Sequence, residues 1–153
     1  RGDDDPPTLA LREGRAAKEV AQALIEACGF AGVEIDARVA AGVEVSFRAY
    51  DEAGRAWLFD VAGGFTSTRG GLRRADVLWK ALGRASVVHE VAPEAPLVIL
   101  TTEVPAPKSA AARMLDVVSG AGKPIFAVVR LQDADDRRRL RSIATQGPCA
   151  PAR

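Results

Sequence analysis

The stretch from Gly42 to Arg74, GVEVSFRAYDEAGRAWLFDVAGGFTSTRGGLRR, leaves the chain few ways to fold. Alternation makes its first part a strand, with Val43, Val45 and Phe47 on one side and Glu44, Ser46 and Arg48 on the other. Asp51-Glu52-Ala53-Gly54 is a turn, opened by an acid and closed by a glycine that can take positive φ. In the strand that follows, Phe59 and Val61 share one face while Asp60 and Ala62 share the other. Paired as a hairpin, the two strands bury Phe47 and Phe59 on one side and bring Glu44, Ser46 and Asp60 to a common surface on the other.

Carboxylates aimed at one surface from adjacent strands form a minimal site for a hard divalent cation. Mg²⁺ takes oxygen ligands and commonly uses one or two carboxylates, completing its shell with water and substrate phosphate. Directly after the hairpin comes a loop of glycines, hydroxyls and the arginines Arg69, Arg73 and Arg74. Exposed amides, hydroxyl donors and forked guanidinium groups all suit a phosphate backbone. The Gly-Lys-Ser/Thr ending of a nucleotide-binding P-loop is absent. Its plainer reading is a surface loop with scattered cations.

The flanking segments supply helices and further strands. From Ala10 to Cys28, the spacing of Val20, Ala21, Leu24, Ile25 and Cys28 marks an apolar helical stripe that Gly29 ends, with Glu19 beside the stripe. Val33 to Ala37 alternates as a short strand with Glu34 and Asp36 exposed, and Val39 to Gly42 turns into the hairpin. A helix is expected over 74–84, burying Val77, Leu78, Ala81 and Leu82, with Trp79 and Lys80 elsewhere on the wheel. His89 falls near an element boundary and reads as a surface or capping residue. Leu97 to Thr101 is a continuous apolar run, as in a strand covered on both faces. Ser109 caps a helix that reaches Val118, and Ile125 to Leu131 is a further strand. Asp133 caps a last helix over 134–144, in which Arg137, Arg138, Arg139 and Arg141 form a solvated face balanced by Asp135 and Asp136. The order α-β-β-β-α-β-α-β-α implies an α/β fold, a mixed central sheet flanked by helices on both sides.

A helix, a hairpin with an acid on each strand, then helix and strand resembles the PD-(D/E)xK restriction-endonuclease-like superfamily, over about Gly14 to Ala134. Asp60-Val61-Ala62 matches the family's acid-x-Lys triplet in its acid, with Ala62 where the lysine is expected. Ser46 stands about where the family carries its first aspartate, with Glu44 two residues earlier, and Glu19 is similar to the glutamate on the first helix of many members. The resemblance implies a nuclease in which Asp60 and Glu44 hold Mg²⁺ or Mn²⁺ and Asp60, Glu44, Glu19 and Lys80 serve catalysis. Arg69, Arg73, Arg74 and Lys80 would then bind DNA. The lysine migrates within this superfamily, so Lys80, Arg69 and Arg48 are its candidate replacements. Replacement of both the aspartate and the lysine leaves two functions open: metal-dependent phosphodiester hydrolysis, or a catalytically inactive nuclease-fold module that binds DNA or a protein partner.

The 153 residues suit a single domain over 9–144, between a flexible segment 1–8 and a Pro-containing tail 145–153. A net charge of +1 makes local clusters, not bulk charge, the basis of any nucleic-acid argument. Cys28, Cys149 and His89 have no zinc-ligand spacing. No stretch approaches the roughly 20 apolar residues of a membrane span, and no signal-peptide pattern opens the chain, so a cytoplasmic address is expected. An opening Arg in place of Met suits a piece of a longer protein whose other domains are its partners, and a homodimer is compatible with the chain.

Overall fold

The computed structural model describes residues 6–64 and 70–150, with side chains from Arg15 onward, and it has the element order that periodicity predicts. Helix α1 (Pro6–Ala27) leads to strands β1 (Ala31–Ala40), β2 (Val43–Tyr50) and β3 (Ala56–Ala62). Then come α2 (Ala75–Val91), β4 (Leu97–Thr101), α3 (Ala110–Val117), β5 (Ala127–Arg130) and α4 (Ala134–Gln146). The strands lie in chain order across one five-stranded sheet. β1 with β2 and β2 with β3 pair antiparallel, while β3 with β4 and β4 with β5 pair parallel. Tight turns suffice for the antiparallel steps, whereas each parallel step needs a crossover, and α2 and α3 provide the two. Among the described residues, no helix is long and apolar enough to cross a membrane.

Several elements exceed their sequence-based bounds. Pro6–Thr8, expected to be flexible, open α1, since proline is tolerated in a helix's first turn where its missing N–H has no acceptor. α2 continues past Arg84 because Ala85 and Val88 extend its buried face, which places His89 in its last turn. α4 runs to Gln146 and a 3-10 turn follows at Gly147–Cys149, so ordered backbone enters the stretch that composition reads as a tail.

Each face of the sheet carries a core. On one, Ala21, Leu24 and Ile25 of α1 and Leu140 and Ile143 of α4 cover Phe47, Trp57 and Phe59. Edge-to-face rings lock this layer, with centroids 5.1 Å apart for Phe30 and Phe59 and 4.9 Å for Trp57 and Phe126. On the other, Leu78, Ala81, Ala85 and Val88 of α2 and Leu115 of α3 cover Leu58, Leu97 and Ile99. Ser109 and Asp133 cap their helices as expected, accepting from Ala112 N at 3.1 Å and Asp136 N at 2.9 Å. Asp136, expected on a solvated face, is instead buried and accepts from the backbone N of Arg130 at 2.8 Å, Arg130 Nε at 2.9 Å and Arg139 Nη1 at 2.9 Å. It ties α4 to the end of β5.

One departure from simple alternation shapes everything downstream. Phe47 packs in the α1/α4 core as expected and pairs with Phe59. Val45, two residues earlier, packs instead with Ala37 and Leu58 in the α2/α3 core. The cause lies in β1, where Asp36 has φ 50°, between the register pairs Ile35–Phe47 and Ala37–Val45. A left-handed residue inside a strand turns it sharply, and aspartate is among the few non-glycine residues that tolerate the conformation. Residues beyond this point therefore face the other core.

Candidate functional site

The β2–β3 ladder is regular from Tyr50–Ala56 to Phe47–Phe59 and stops there. At the next position side chains replace the backbone ladder. Ser46 N and Ser46 Oγ both donate to Asp60 Oδ1 at 3.1 Å, and Ser46 Oγ accepts from Val61 N at 3.0 Å. The opened strands free the carbonyl of Glu44, which accepts from Arg84 Nη2. Arg84 Nε meanwhile donates to Asp60 Oδ2 at 2.9 Å. Both oxygens of a buried carboxylate are thus engaged, one by β2 and one by α2.

Asp60 and Ser46 form the floor of a groove of about 470 Å³, continued by Val61, Ala62 and Gly63. Asp76, Val77, Lys80, Ala81 and Arg84 make one wall, and their spacing is that of a single flank of a helix. Lys18 of α1 closes the opposite side, with its Nζ 2.6 Å from Asp36 Oδ1. The same aspartate that turns β1 therefore also positions a groove lysine. Lys80 is exposed and has no hydrogen-bond or ion-pair partner among the described residues.

Beyond β3 the two ends of the glycine-rich segment cross in backbone contact. Gly63 has φ 79°, and a Cβ there would lie 2.8 Å from Gly71 Cα. Gly71 has φ 56°, and its Cβ would come within 2.3 Å of Thr101 Oγ1 and 2.8 Å of Glu103 N. Only glycine fits either position. Gly70 N donates to Glu103 Oε2 at 2.6 Å and Leu72 N to Glu103 O at 2.9 Å, which fastens the crossing to the end of β4.

Of the residues singled out by sequence, Asp60, Ser46 and Lys80 share this groove. Glu44 reaches it only through its carbonyl; its side chain is exposed and does not line the groove. Glu19 is exposed on α1 and does not line the groove, although its neighbour Lys18 does. Arg48 is tied to β1, donating to Glu34 Oε2 at 3.1 Å and to Arg38 O at 2.9 Å. Arg73 lies 3.7 Å from Glu103 and Arg74 lies 3.2 Å from Asp76, both near the start of α2. Arg69 lies outside the described residues. Sequence reasoning missed Arg84, the cation that engages Asp60, and Lys18. Arg84 had a signal, since it follows Lys80 by one helical turn and Asp76 by two.

Among the described residues, no three His, Cys, Asp or Glu side chains form a group suited to a metal ion. The chain matches no protein-family model, no curated protein and no solved structure.

Proposed function

We propose that this chain is a nuclease-like module that holds a DNA backbone at the groove without hydrolysing it. The observation that carries the reading is the Arg84–Asp60 pair. A divalent cation at this place would need the oxygens of Asp60, and a guanidinium already neutralises them. The donor set around it offers a neutral hydroxyl from Ser46, while the other carboxylate of the groove, Asp76, is paired with Arg74 at 3.2 Å and the Glu44 side chain does not line the groove. The residues present do not fit a metal that activates water for attack on phosphorus.

The restriction-endonuclease-like part of the reading is supported by an antiparallel hairpin followed by a parallel strand and by a ladder that opens at Asp60. DNA as ligand is supported by the cations. Lys18, Lys80 and Arg84 line the groove and Arg73 and Arg74 stand exposed where α2 begins, set against Asp60, Asp76 and Glu103. Such groups position a phosphate backbone without reading its sequence.

Fluorescence anisotropy with labelled DNA over a salt series tests this. Affinity should fall linearly on a log–log plot, and replacing both Arg73 and Arg74 by Ala should weaken binding at every sequence. Absence of binding at low salt would overturn the reading. Calorimetric binding of Mn²⁺ that disappears in Asp60→Ala would restore the hydrolytic alternative.

A further inference from the structure

Resting on the DNA-binding reading, we infer that the groove takes a single nucleotide of an unpaired or terminal strand, its phosphate on Lys80, and that a continuous duplex is not its ligand. Size is the first argument. About 470 Å³, lined by the end of β3, one flank of α2 and Lys18 of α1, lies within the range of small-molecule sites, roughly 300–1,000 Å³. A duplex carries its backbones across grooves of about 6 and 12 Å and cannot lower both strands into a groove of this volume. One strand can enter only when its partner is absent.

Charge accounting gives the second argument. Lys18 is held by Asp36, and Arg84 by Asp60 and the Glu44 carbonyl. Lys80 is the groove cation that has no partner among the described residues, so the site has an open donor for one phosphate. The groove acids do not oppose it strongly, because Asp60 is neutralised by Arg84 and Asp76 lies 3.2 Å from Arg74. Val61, Ala62, Val77 and Ala81 add apolar surface for a sugar or a base. A cation beside an apolar surface suits one nucleotide, with the phosphate on Lys80 and the sugar or base against the aliphatic side chains of α2 and β3.

The test compares three fluorescent DNAs of one sequence on the full chain: a short single strand, a duplex with a single-stranded tail, and a dumbbell duplex closed at both ends. The single strand and tailed duplex should bind at least about tenfold tighter than the dumbbell, the scale of one charge-assisted phosphate contact. Lys80→Gln should reduce single-strand affinity by about tenfold and lower its salt slope by about 0.7, with thermal unfolding unchanged. A dumbbell that binds as tightly as the single strand, with Lys80→Gln weakening both alike, would overturn this inference and leave the DNA reading intact. Failure of all three DNAs to bind would overturn both.

Discussion

The two ends of the β2–β3 hairpin are each governed by a buried aspartate, and the two aspartates behave differently. At the turn, Asp51 accepts from Ala53 N at 3.0 Å, Arg55 N at 2.9 Å, Arg55 Nε at 3.1 Å and Trp57 Nε1 at 2.9 Å. All these donors lie within a few residues of it, so the carboxylate is satisfied once the hairpin closes. Burial works against its charge, but the hydrogen bonds from Trp57 and Arg55, with the charge of Arg55, outweigh burial and hold its carboxyl below the ordinary aspartate value. Asp60, at the open end, takes its donors from β2 and from α2. It is satisfied only after a helix from later in the chain has docked. The first aspartate belongs to folding of the hairpin; the second joins separate elements and lies on a groove floor.

The sharpest way to break this comparison is to remove each carboxylate. Asp51→Ala should destabilise the fold by about 3 kcal/mol, leaving Trp57 Nε1 and turn amides without acceptors, read as a lower urea midpoint at unchanged m. Asp60→Ala should lose about 2 kcal/mol by the same measurement, because Arg84 is half exposed and regains water. A larger loss for Asp60 than for Asp51 would reverse the ranking.

Acid isolates the ionic share of the same contacts. Asp136 resembles Asp51 in this respect, with burial outweighed by hydrogen bonds from Arg130 and Arg139, so its carboxyl is also held low. A depressed folded-state pKa contributes stability that is full above the unfolded value of about 3.9 and lost as pH falls through the folded value. Urea midpoints should therefore drop below about pH 4, and Asp51→Asn should flatten that limb. A variant with the wild-type acid slope would remove Asp51 from the account. The smallest effect is expected at the groove wall, where Lys80→Gln should change stability by less than about 0.5 kcal/mol, since no described group pairs with it. A clear drop in its unfolding midpoint would show that Lys80 supports the fold.

What was legible in the sequence follows the reach of each interaction. The turn at Asp51, the caps Ser109 and Asp133 and the Phe47–Phe59 pair all rest on neighbours in sequence or on strict alternation. The switch of core between Val45 and Phe47 was not legible, because a period-two pattern runs unchanged through Asp36 and gives no sign of its φ of 50°. Arg84 was hidden for a different reason. Taken as a helix end, it lost its place on the flank shared with Asp76 and Lys80, which the longer α2 restores. Asp136 looked like a surface counter-charge because two of its hydrogen bonds come from Arg130 on β5, outside the helix that carries it.

The crossing of Gly63 and Gly71 has a consequence for how such a chain can change. Since those glycines and Glu103 already fix where the segment between them leaves and rejoins the sheet, its length is uncoupled from the rest of the fold. Doubling a closed loop adds only about 0.6 kcal/mol of closure entropy. The stretch is in effect an exchangeable cassette, whose residues can be rewritten for a new ligand while the sheet keeps its register.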